Sequence, residues 1–265
     1  MPVPTLVLPP RFTDDSNALW RAALDAGWDI ERLSGWRASE GLARREPVLY
    51  GEPLFAAAIA EQLDLALLEP PFDWLTRLPD RYRRREVRFA TLVEGRAHHV
   101  RAFFKPADDK CFRAGVYYSG DALPSADILP AETPILIAEP VVWEMEFRCF
   151  VLERRVTDFS PYARQGELAQ AVDGGWPFSD VEREGVLAFS QELCADSDVP
   201  LPPAVALDVG MIQGRGWAVV EANPVWGSGI YGCDPSQVLP VLRRACVARP
   251  TIGDADREWV IQRGA

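Results

Sequence analysis

The chain has 265 residues, of which 48% are hydrophobic and 25% charged, with a formal net charge of −11. That length allows one large domain or two lobes around a cleft with a substantial core, and the acidity argues against nucleic acid as the main partner. No apolar run approaches a membrane span and no signal peptide opens the chain; with five cysteines of no metal-ligand spacing, read as free thiols, this points to a cytoplasmic protein without a membrane partner.

In chain order, Thr5–Pro9 reads as a buried strand, and Asp14, Asp15 or Ser16 can cap a helix through Leu19 and Leu24 that Gly27 ends. Trp28–Leu33 is the next strand. Val48–Tyr50, a helix from Pro53 through Ile59, and a strand at Ala66–Leu68 repeat the unit. Such alternation predicts a small parallel sheet, and the absence of a glycine-rich turn after the first strand argues against a dinucleotide fingerprint. Prolines at 70, 71 and 79 mark a boundary near residue 75, with a short helix at Trp74. Beyond it, Arg81–Arg88 is a basic cluster leading into an expected helix to Glu94; it reads either as a solvated face or as an anion site, since arginine forks suit phosphate and carboxylate.

Val100–Phe104 reads as a strand ending at Lys105, followed by the loop PADDK and a strand over Cys111–Tyr118. Of the 28 lysines and arginines only Lys105 and Lys110 are lysines, so the rest of the chain accepts arginine where these two positions keep a compact, flexible point charge. Ile135–Ala138 is a strand, then Glu139-Pro140-Val141. Trp143–Leu152 alternates, with Glu144, Glu146 and Arg148 on one face; an arginine there is either a structural ion pair or a ligand-facing group. Val156–Tyr162 is its partner strand, with Arg164 near its end. Ser179 and Glu182 form a capping box for a helix to about Cys194, and a last helix spans Pro235 to Val247.

Between those helices lies VALDVGMIQGRGWAVVEANP, Val205 to Pro224. A two-residue loop at Gly214-Arg215 places Gln213 opposite Gly216 and, by counting, Asp208 opposite Glu221, with Asn223 on the same face as Glu221. Facing carboxylates repel, so the pattern calls for a cation, and three oxygen-bearing side chains suit Mg²⁺ shared with phosphate. The alternative is a solvated acidic hairpin.

FFKPADDKCF around Lys105, ILIAEPV with Glu139, EMEFRCFV with Arg148, ALDVG and VVEANP, in this order, resemble the ATP-grasp superfamily, in its divergent clade named for two arginines and a lysine. The resemblance covers roughly residues 80–247. It implies an α/β (α+β) ATP-grasp fold: two α+β subdomains around an ATP cleft (a lid-like one about 97–138 and a metal-binding one about 141–247, within 76–250), after a small Rossmann-like N-terminal domain over 1–75 and before a peripheral tail from 251. It further implies ATP and one or two Mg²⁺ ions (Mn²⁺ being an alternative) as cofactors. Asp208, Glu221 and Asn223 would hold the metal, and Lys105 and Arg148 would serve the phosphates and the reaction. Lys110, Glu146, the Glu139–Val141 hinge and either Arg85 or Arg88 would contact ATP. Tyr162, Arg164, Ser228 and Gly229 would lie by the substrate. The implied activity is a carboxylate–amine ligase acting through an acyl phosphate on an amino acid or peptide, with a carboxylate substrate and an amine acceptor as partners; a phosphotransferase or a non-catalytic nucleotide-binding module are the alternatives. The PADDKCF stretch departs from the pattern in lacking a glycine-rich phosphate loop.

Overall fold

The computed structural model describes residues 3–107 and 110–260; Asp108 and Asp109, in the loop after Lys105, lie outside the described residues. The first unit runs β1 (Thr5–Leu8), α1 (Asp14–Asp25), β2 (Asp29–Arg32), β3 (Pro47–Leu49), α2 (Pro53–Gln62) and β4 (Leu65–Leu67). β1, buried at every position, is the centre of a three-stranded parallel sheet in the order β2-β1-β3, as the strand–helix alternation predicts. Two details differ. Thr13 rather than a residue of 14–16 caps α1, its hydroxyl accepting from the Ser16 amide at 3.1 Å. β4 leaves the parallel sheet to pair with a strand near the C-terminus.

After α3 (Trp74–Arg77) and α4 (Asp80–Arg83), the helix expected to run to Glu94 is broken. Arg84 takes φ +48 and ends α4, and Val87 then starts β5 (Val87–Thr91). Thr91 and Glu94 form a capping box for α5 (Leu92–Arg96). β6 (Ala102–Pro106), β7 (Gly115–Tyr117, shorter than the 111–118 expected) and β8 (Pro134–Ala138) complete an antiparallel sheet in the order β5-β8-β6-β7. The lid-like sheet therefore begins with β5, ahead of residue 97. One face of it packs its own small core, Ala90, Ala102, Phe104, Ile135 and Ile137. The other presents Val87, Leu136 and Ala138 to the body of the molecule.

The body is an antiparallel sheet of β9 (Trp143–Leu152), β10 (Arg155–Arg164), β11 (Glu167–Leu168), β12 (Ala204–Ile212) and β13 (Gly216–Asn223), ordered β11-β10-β9-β12-β13. Its helix α6 (Asp180–Ala195) starts with the Ser179/Glu182 capping box read from the sequence. With Trp74, α6 covers the face carrying Phe147, Cys149, Val205 and Leu207. α7 (Pro235–Ala245) covers the opposite face, where Phe150, Ala204 and Ala206 point. There the body and the first unit share one core: Leu6, Leu19, Val48 and Phe55 pack with Trp226, Val238 and Leu242. β14 (Cys246–Ala248) pairs antiparallel with β4. The segment expected to be a peripheral tail carries α8 (Asp254–Arg257) and buries Trp259, whose carbonyl accepts from the Glu69 amide at 2.9 Å. Among the described residues no helix is long and apolar enough to cross a membrane.

Candidate functional site

The β12–β13 hairpin sets the site. Its loop is one residue longer than the sequence count assumes: Ile212, not Gln213, faces Gly216, and the pairs run Met211–Trp217, Gly210–Ala218 and Val209–Val219. Carried on, that register would put Asp208 opposite Val220 and turn Glu221 to the other face. A β-bulge intervenes: Val220 has no partner, and pairing resumes with Asp208 opposite Glu221 and Ala206 opposite Asn223. The longer loop and the bulge cancel, so the facing carboxylates are where counting places them.

Asp208 is fully buried, and Arg148 on the neighbouring β9 lies directly across from it. The guanidinium makes a two-pronged contact, Nε to Oδ1 at 2.8 Å and Nη2 to Oδ2 at 2.7 Å, while its Nη1 donates to the Gly229 carbonyl at 2.9 Å. Arg148 is thus a buried ion pair with Asp208, on the face that also carries Glu221. Lys105 reaches across from the lid sheet, its ammonium paired with Glu221. The Asn223 amide nitrogen donates to both carboxylates, at 3.1 Å to Asp208 and 3.0 Å to Glu221.

These contacts pull the two acids apart electrostatically. Burial pushes Asp208 up to about 6 against the opposing pull of Arg148. Burial also acts to raise Glu221, but Lys105 and the Asn223 amide outweigh it and hold that carboxyl at about 2. Arg148, penalised by burial, is nonetheless raised by Asp208 and remains charged. The donor set fits a hard divalent cation: two carboxylates near enough to share one amide donor, with Asn223 as the third oxygen-bearing side chain. Among the described residues no three His, Cys, Asp or Glu side chains form such a group, so Asn223 is needed to complete it. Lys105 and Arg148 flank the same face, which suits a ligand bringing more negative charge than the cation neutralises.

The two candidate arginines line one cavity beside Glu139, but only one of them reaches the carboxylate hairpin. Arg88 lies on β5 beside Ala90 and across from Ile137, on the lid-core face, whereas Lys105, next to the buried Phe104, points from the opposite face. Arg88 is therefore not brought to the carboxylates. Arg85 is: its guanidinium stacks 4.9 Å over the Trp143 ring and donates to the carbonyls of Val219, at 2.6 Å, and Val220, at 3.0 Å. Burial lowers it to about 10, with Glu221 the foremost charge acting to raise it.

Glu139 and Val141 lie in the link between β8 and β9, the hinge position, but the Glu139 carboxylate is held by Arg215 of the hairpin loop at 2.5 Å. Glu146 projects from β9 and accepts from the Tyr162 hydroxyl at 2.7 Å; burial raises its carboxyl. With Val141 and Arg164, Glu146 lines a cavity of about 940 Å³. Arg164 itself is spent on Glu182 at 2.5 Å and the Pro177 carbonyl, away from Asp208. Lys110 is exposed and has no ion-pair partner among the described residues. Ser228 is buried with its hydroxyl on the Pro224 carbonyl at 2.7 Å, and Gly229 contributes the carbonyl that Arg148 holds.

Three further residues stand at the site, one of them, Tyr231, within the Trp226–Gly232 segment expected near the substrate and two, Asp15 and Tyr50, not expected there. Tyr231 stacks on Tyr162 with centroids 5.3 Å apart, and the Arg148 guanidinium lies 5.0 Å from its ring. Asp15, read from sequence as a cap, instead accepts from the Ile230 amide at 3.2 Å and the Tyr50 hydroxyl at 3.4 Å, and burial raises its carboxyl. Tyr231 stands in the glycine-rich segment after the hairpin; Asp15 and Tyr50 carried no sequence signal, because only docking of the first unit brings them there.

The chain has counterparts of known structure, though no curated protein sequence matches it significantly. The RimK domain ATP-grasp protein from Sphaerobacter thermophilus superposes with a TM-score of 0.57 at 12% identity, over 91% of this chain and 99% of that one. D-alanine–D-alanine ligase from Bacillus anthracis gives 0.52 at 11% identity over 91% and 96%. The ATP-grasp ligase PsnB, solved with minimal precursor, Mg and ADP, gives 0.51 at 13% identity over 91% and 97%. At such identities the likeness establishes the fold, which is ATP-grasp. The model for the ATP-grasp domain of family 2, in the clade named for two arginines and a lysine, matches residues 82–241, more than half of the chain and all of the carboxylate face: this protein is a member of that ATP-grasp family.

Proposed function

We propose that this protein is an ATP- and Mg²⁺-dependent carboxylate–amine ligase that works through an acyl phosphate on an amino-acid or peptide substrate. The observation that carries the reading is the Asp208–Glu221–Asn223 face with Lys105 and Arg148 at its margins. Ligases stand among proteins of the same fold, and one of them, PsnB, was solved with a minimal precursor.

Asp208, Glu221 and Asn223 would hold Mg²⁺, which when bound neutralises triphosphate charge. Lys105, on a lid strand, is placed to move from Glu221 to a phosphate oxygen when a nucleotide arrives. The remaining demands of the chemistry are positioning and charge stabilisation. A substrate carboxylate oxygen attacks the γ-phosphorus and ADP leaves. An amine nitrogen then attacks the acyl carbon, phosphate leaves, and the nitrogen gives up a proton to complete the amide. Arg148, bridging Asp208 and the Gly229 carbonyl, stands where charge on the transferred phosphoryl would be stabilised. No side-chain nucleophile is needed, in keeping with two histidines and with buried Cys149, Cys194 and Cys233.

The test is incubation with ATP, Mg²⁺ and pooled amino acids and short peptides, followed by mass spectrometry. A condensation product formed with equimolar ADP and phosphate supports the ligase. A stable phosphorylated product without amide would make the protein a phosphotransferase, and tight Mg²⁺-ATP binding without turnover would make it a nucleotide-binding module.

A further inference from the structure

The hairpin's carboxylate face exists only because of the bulge at Val220, and a bulge on this strand needs support. β13 is the edge of the body sheet, so its outward carbonyls have no ladder partner. In a regular strand successive carbonyls point to opposite edges; the bulge turns those of Val219 and Val220 towards one donor. That donor is Arg85. Its Nη1 and Nη2 hold the two carbonyls at 2.6 and 3.0 Å, and the Trp143 ring fixes the plane of the guanidinium at 4.9 Å. A third bond, Nη1 to the Arg83 carbonyl at 3.1 Å, ties the fork to its own segment. A lysine at this position would offer a point charge in place of the planar fork.

We infer that Arg85 is a positioning residue: by clamping the two bulge carbonyls it fixes the register that sets Glu221 opposite Asp208, and so builds the metal-binding face without touching nucleotide or metal. The metal part of this inference rests on the proposed reading of Asp208 and Glu221 as ligands.

The test separates cation from nucleotide. Mn²⁺ serves as the probe, and binding to the full chain is measured by calorimetry for Mn²⁺ with ATP and for ATP in EDTA. In Arg85→Met, affinity for Mn²⁺ with ATP is expected to fall about 10–100-fold, as for loss of a residue that orients metal ligands. ATP binding in EDTA stays near the wild-type value, and amide exchange at Val219–Glu221 quickens. Arg85→Lys behaves like Arg85→Met, and Arg257→Met, on α8 and paired locally with Asp254, behaves like wild type. Equal loss of ATP binding in EDTA would show that Arg85 contacts the nucleotide and would overturn the inference. So would an unchanged Mn²⁺ affinity, or a wild-type chain that binds no Mn²⁺. Should Arg85→Met fail to fold, guanidinium NMR of the wild-type chain decides: couplings from the Arg85 Nη atoms to the Val219 and Val220 carbonyl carbons must persist when ATP is added. Their loss on ATP addition would refute the clamp. A chain that passes these tests yet forms no amide refutes the ligase reading alone.

Discussion

Asp208 and Glu221 are chemically the same group on one face, yet Glu221 stays ionised at any working pH while the fully buried Asp208 sits at about 6. Both accept from the Asn223 amide; the difference is that at Glu221 Lys105 and that amide outweigh burial, whereas at Asp208 full burial outweighs the Arg148 fork. A cation binds the carboxylate and not the acid, so metal binding must expel any proton that Asp208 retains. Mg²⁺-dependent ATP binding should therefore rise with pH through about 6 in a one-proton step. Titration calorimetry from pH 5 to 8 checks this, and the step should vanish in Asp208→Asn along with most of the metal dependence. The same shift bears on stability with the opposite sense. A native carboxyl raised above its unfolded value holds the proton longer than the unfolded chain does, so Asp208's contribution falls as pH rises from about 4 to about 6. Lys105→Met tests the other margin. If Lys105 serves a phosphate oxygen as proposed, removing its charge should lower kcat by about 100-fold or more, with the denaturation midpoint little changed because the Lys105–Glu221 pair is partly exposed.

At the scale of elements, the hairpin carries both the success and the limit of reading the chain. Counting from a two-residue loop reached the right carboxylate pair through two departures that cancel, a three-residue loop and the bulge at Val220. Side-chain alternation of β9 was legible because Phe147, Cys149 and Val151 pack one core while Phe150 packs the other. The helix expected through Arg85 to Glu94 was not, since Arg84's left-handed turn and the pairing of β5 with β8 are decided by a partner about 50 residues on. Glycine at 210 is a further element-level constraint. A Cβ there would lie 2.7 Å from the Met145 carbonyl and 2.8 Å from the Trp143 ring, the ring on which Arg85 stacks. Gly210→Ala must therefore displace β9 backbone or Trp143. It is expected to cost about 1–3 kcal/mol in urea denaturation, as overpacking does. It should weaken Mg²⁺-dependent ATP binding in addition, which a Gly253→Ala control, with open space at its Cβ, should not do.

For the whole molecule, the boundary read near residue 75 marks a change of sheet but no break in the core. Trp226 follows directly on the carboxylate hairpin, is 1% exposed, and donates from its indole nitrogen to the Leu68 carbonyl at 3.2 Å. Val225, Ile230, Val238 and Leu242 share its core with Leu6, Leu19, Val48 and Phe55. Asp15 adds a polar tie, anchoring the Ile230 amide beside Arg148. The first unit, Thr5 to Leu67, thus supplies more than half of the buried side chains in the core that seats α7 and the 225–233 segment on the body sheet. Uncovering so many fully buried side chains forfeits roughly 1.5–3 kcal/mol for each, against a net stability of about 5–15 kcal/mol for a domain. A chain starting at residue 68 should therefore not hold the native fold, even though the family match begins only at residue 82. It should keep far-UV circular dichroism, lose near-UV signal and bind ANS, the marks of secondary structure without fixed packing. Adding residues 1–67 as a separate chain should restore the near-UV signal and Mg²⁺-dependent ATP binding together. A cooperative thermal transition in the shortened chain by itself would show that the two units fold independently and that the shared core is a docking surface between finished domains.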